Sequence, residues 1–123
     1  MILMSISRRT KCVSRCVRWM SVSYAHGTSS KSLIGETIGT HFDSQVKRHR
    51  DVDALIVKHQ NIRWTYGEFS DKVNKLAQNF MALGIRPGDR VGIWSPNCYE
   101  WTLTQFATAK MGAILVNINP AYQ

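Results

Sequence analysis

An α/β fold is what this sequence predicts, and three observations carry that expectation. Two short apolar runs, Arg90–Trp94 and residues 113–118, flank a stretch of helix length at residues 98–111. Neither run alternates apolar with polar residues, as strands covered on both faces do not. Turn residues mark the joints: Pro87-Gly88-Asp89, Ser95-Pro96-Asn97 and Gly112. Strand, helix, strand is a βαβ unit, so the strands are parallel and the crossover is right-handed. A parallel pair cannot cover both of its own faces, so this is expected to be the first βαβ portion of a larger sheet, incomplete as given. A cleavable presequence is expected to precede it.

The totals are compatible with that reading. A chain of 123 residues with 44% hydrophobic and 10% aromatic content can build one small core. No apolar run approaches the roughly 18–20 residues of a membrane span, so no transmembrane segment is expected. Of the 16 Lys and Arg, six (Arg8, Arg9, Lys11, Arg15, Arg18 and Lys31) precede the first acid, Glu36. The other ten nearly balance the 8 Asp and Glu. The net charge of +8 thus belongs mostly to the leader, and no nucleic-acid partner is expected for the rest.

That leader, residues 1–35, differs in kind from the rest of the chain. At about 100° per residue, Val13, Cys16, Val17 and Met20 share one side of a helix, and Arg8, Lys11, Arg15 and Arg18 the other, with Arg9 the exception. Amphipathic, acid-free and Ser-rich is the composition of a mitochondrial transit peptide. The expected boundaries are 1–35 for transit peptide and linker and 36–123 for the domain, with cleavage between Met20 and Ser32. An import receptor would hold residues 1–20, and the mature chain would reside in the matrix. A secretory signal places charge before its apolar stretch; here "MILMSI" comes first. A retained membrane-surface anchor has the same amphipathic signature and remains a rival.

Two apparent sites in this region dissolve on inspection. Cys12 and Cys16 stand at helical spacing with no His or acid beside them, and Cys98 is distant, so neither a disulfide framework nor a zinc site is expected. "GTSSKS", residues 27–32, has Ser30 where a phosphate loop needs its second glycine, and no strand leads into it.

The domain can be followed element by element. Ile38, Phe42 and Val46 recur at helical spacing, ending in Lys47-Arg48-His49-Arg50, cations that suit a helix C-terminus. "ALIVKHQNIRWTY" reads as two short strands around His59-Gln60-Asn61. Thr65-Tyr66-Gly67-Glu68 has the pattern of a capping box. Phe69, Val73, Leu76, Ala77, Phe80 and Leu83 then form one stripe, and Gly84 is placed to end the helix in the left-handed conformation. His41, His49 and His59 have no partner nearby in sequence and are expected at the surface. Trp64, Trp94 and Trp101 are expected to pack in the core or at turns.

At "RWTYGEF", "GIRPGDRVGIWSPNCYEW" and "AKMGAILVNINPAY" the sequence resembles the adenylate-forming superfamily, the AMP-dependent synthetases and ligases. The similarity covers about residues 36–123, and the order and spacing of the pieces carry it. Within the superfamily the resemblance is to mitochondrial medium-chain acyl-CoA synthetases. It implies the first part of the large N-terminal domain of such an enzyme. It also implies a two-step reaction for the full-length member: a carboxylate and ATP give an acyl-adenylate, and the CoA thiol then displaces AMP. ATP, Mg2+ and CoA would be that enzyme's cofactors and a medium-chain fatty acid its substrate. The family's Ser/Thr/Gly-rich phosphate loop, its aromatic-Gly-x-Thr-Glu segment, its ribose-binding Asp and its C-terminal Lys have no counterpart in these residues. No catalytic, cofactor-binding or metal residue is therefore carried over. The chain alone is expected to bind none of these cofactors and to be inactive. The rival is a complete short, non-catalytic binding protein derived from the same fold.

Overall fold

The computed structural model describes residues 2–6, 27 and 29–122. The expected leader helix, with Cys12 and Cys16, lies outside the described residues. The elements in chain order are β1 (Ile2–Ile6), α1 (Ile38–His49), β2 (Asp53–Val57), β3 (Ile62–Thr65), α2 (Tyr66–Ala82), β4 (Arg90–Trp94), α3 (Tyr99–Met111) and β5 (Ile114–Ile118). A 3-10 turn, Lys58–Gln60, joins β2 to β3.

Helices α1 and α2 start and stop where their local chemistry says they should. Thr37 caps α1 by accepting the Thr40 N–H at 3.2 Å, and Lys47, Arg48 and His49 occupy the last turn. Before α2 the Thr65 hydroxyl accepts the Glu68 N–H at 3.3 Å, while Glu68 Oε2 accepts the Thr65 N–H at 2.9 Å. This is the expected capping box, with two orphan donors satisfied at once. The helix closes in a Schellman motif: Gly84 takes φ +86°, its N–H reaches the Met81 carbonyl, and the Ile85 N–H reaches the Phe80 carbonyl. That turn corrects one expectation. Leu83 falls past the end of the helix and is 78% exposed, and Ile85 enters the core in its stead.

The core is built between the helices and one face of a sheet. Phe42 and Val46 of α1, Phe69, Val73, Ala77 and Phe80 of α2, Val91 of β4 and Ala107 of α3 are all buried in one cluster. Ile38, expected on the same stripe as Phe42 and Val46, is 64% exposed. The Phe42 ring meets Phe69 edge-on at 5.5 Å between centroids and Phe106 at 4.8 Å. Helices α1 and α3 approach so closely at Gly39 that a Cβ there would lie 3.2 Å from the Lys110 Cα. The three helices are tied by one cation: Lys110 Nζ lies 2.6 Å from Asp43 Oδ1 on α1 and 2.6 Å from Asn74 Oδ1 on α2.

The βαβ unit forms as expected. β4 and β5 are parallel, with Arg90 opposite Ile114 and Trp94 opposite Ile118, and α3 crosses between them. β2 and β3 make a separate antiparallel hairpin, with Asn61 left-handed at its tip. The sequence did not suggest β1. It lies antiparallel along the other edge of β4, giving the order β1-β4-β5. Alternate residues of a strand face opposite sides. Val91 and Ile93 are fully buried on the side of the helices, whereas the other side carries Trp94, Ile114 and Val116, each partly exposed. Replacing Thr65 with Ala removes half of the capping box and is expected to lower stability by about 1 kcal/mol. The check is a shift of the urea midpoint without a change in slope.

Candidate functional site

Open α/β sheets bind ligands at the carboxyl ends of their strands, where the loops emerge. Here β4 and β5 are in register, so the loop after Trp94 and the loop after Ile118 leave side by side. The first holds a Ser95 Oγ to Cys98 Sγ contact of 3.2 Å and leads directly into α3. The second is a turn in which Asn119 accepts the Ala121 N–H with its side chain and the Tyr122 N–H with its backbone carbonyl.

The start of α3 is closed by a residue from elsewhere. Cys98 sits at the N-cap position without a capping hydrogen bond. Gln60, at the end of the 3-10 turn, supplies it instead: its Oε1 accepts the Tyr99 N–H at 2.8 Å. Its Nε2 donates to Glu100 Oε2 at 3.0 Å. Burial works against the Glu100 charge, but the Gln60 hydrogen bond and the Glu100 backbone N–H outweigh it and hold the carboxyl below its ordinary range. The carboxylate in turn pushes the Tyr99 phenol up. Trp64 meets Tyr99 edge-on at 5.0 Å and carries Lys72 Nζ 4.7 Å from its ring, so its packing is structural, as expected.

One N–H of the first turn of α3, that of Tyr99, is bonded to Gln60, and the Glu100 carboxylate stands in the same turn. Among the described residues no three His, Cys, Asp or Glu side chains gather as a metal would require.

A cavity of about 480 Å3 lies among α1, the first turn of α2 and α3, with Phe42, Phe69 and Phe106 in its wall. His41 borders it and corrects an expectation, because it has partners after all. Its Nδ1 is 3.4 Å from Glu36 Oε2, and its Nε2 is 3.4 Å from Gln45 Nε2. Among the described residues, no Ser, Cys or Lys side chain lines the cavity beside it. His49 and His59 are exposed, and Trp94 is 38% exposed at the sheet margin.

Residues 42–123 match the family of AMP-binding enzymes. The chain belongs to that family. Its curated relatives include the mitochondrial medium-chain acyl-CoA ligase ACSF2 of Mus musculus, 42% identical over 102 residues, or 83% of this chain and 17% of that protein. The protein of the same name from Danio rerio is 46% identical over 104 residues, or 85% of this chain and 17% of the relative. Among solved structures, a Mycobacterium tuberculosis fatty acyl CoA synthetase superposes with a TM-score of 0.67 at 30% identity, covering 70% of this chain and 17% of that one. The N-terminal subdomain of Klebsiella oxytoca NpsA gives 0.66 at 26% identity, over 71% and 22%. The chain thus spans about a sixth of the length of the acyl-CoA ligases it matches, and its α/β architecture is that of the N-terminal region of adenylate-forming enzymes.

Gln60 is the residue that sequence reasoning missed. It looked like a turn residue, and nothing local signals a contact with a helix 39 residues away. Gln60→Ala is expected to cost about 1 kcal/mol by uncapping α3. The sign of its pH dependence follows from Glu100. A carboxyl held low stabilises the fold above its unfolded pKa, and that contribution is lost as pH falls through the folded pKa. The gap between wild type and variant should therefore be widest at neutral pH and narrow on acidification. Urea titrations at neutral and acidic pH, with the Glu100 carboxyl followed by NMR, check both parts.

Proposed function

We propose that this chain is the N-terminal portion of a mitochondrial fatty acid–CoA ligase and that by itself it catalyses nothing. The observation that carries this is the pairing of 42–46% identity to medium-chain acyl-CoA ligases with a span of only 17% of their length. The chemistry explains why so short a span is insufficient. A carboxylate is a poor acyl donor until its oxygen is replaced by a good leaving group. Activation needs cations to neutralise ATP and a pocket that aligns the acid with the α-phosphate. At the carboxyl edge of β4 and β5 the described residues include the Glu100 carboxylate. What they offer is a fixed wall: α3, capped by Gln60 and tied by Lys110, holds two parallel strands in register.

The complete ligase would convert a medium-chain acid and ATP to the acyl-adenylate and then to the acyl-CoA thioester, with ATP, Mg2+ and CoA as its cofactors. Residues 1–35 would be the transit peptide and linker, with residues 1–20 engaging an import receptor and cleavage falling between Met20 and Ser32. The mature part would begin near residue 36 and reside in the matrix. Two experiments test this. Purified chain, supplied with ATP, Mg2+, CoA and C6–C12 acids, should release no pyrophosphate above background; turnover would overturn the inactivity. Residues 1–35 fused to a fluorescent reporter should direct it to mitochondria and be shortened there; a reporter that stays cytosolic and full-length would overturn the assignment of the leader.

A further inference from the structure

We draw no further inference here: the strongest candidate, the cavity of about 480 Å3 among α1, the first turn of α2 and α3 with His41 at its border, carries nothing, because the chain spans 17% of the length of the ligases it matches and nothing in the structure shows what covers that opening.

Discussion

The constraint on which the structure depends is that β4 must be shielded while running parallel to β5. A strand joined to its parallel neighbour needs a crossover of a dozen or more residues, and α3 supplies it. Val91 and Ile93 then have to be buried under a helical layer, and that layer must be wide enough to hide them completely. This is why α1 and α2 precede the unit. Phe42, Phe69 and Phe106, one from each helix, meet ring to ring. Lys110 reaches across to Asp43 and Asn74, so the three helices share one polar tie at the margin of an apolar core. The ion pair is half exposed on the Asp43 side, and a tie of that kind fixes register more than it adds stability.

Much of this was legible in the sequence because the deciding signals are local. The capping box at Thr65 and Glu68 lies within four residues, and the glycines that end α2 and α3 act through their own φ angles. The strands β4 and β5 declared themselves as apolar runs between turn residues. Where the reading failed, the cause lay at a distance or at a terminus. Leu83 continued the helical stripe on paper, but the left-handed Gly84 had already redirected the chain. Ile38 continued another stripe, but it sits at the first helical position beside an open cavity, with nothing outward of it to pack against.

The candidate site was less legible, for a reason that Gln60 makes concrete. Capping usually comes from the residue before the helix, yet Cys98 makes no capping bond, and the acceptor arrives from a turn between two strands. A side-chain amide is suited to this, since its oxygen can cap Tyr99 while its nitrogen holds Glu100. Each half of that arrangement is invisible without the fold. His41 shows the same limit in reverse. Its partner Glu36 is close in sequence but lies before the helix begins, where helical spacing rules say nothing.

The two incomplete boundaries of the sheet make different demands. An edge asks only for backbone partners, which five residues of almost any extended segment can provide, and β1 provides them for β4. The face that carries Trp94, Ile114 and Val116 asks for apolar side chains in bulk, since those residues keep 38%, 47% and 39% of their surface in contact with solvent. A short strand cannot meet that demand from the edge. Apolar runs without alternation, such as Ile114-Leu115-Val116, are what strands covered on both faces require, and among the described residues a helical layer covers one face. The same unalternating pattern that announced the βαβ unit therefore also specifies the chemistry of whatever meets the second face: an apolar surface at least as broad as β4 and β5 together.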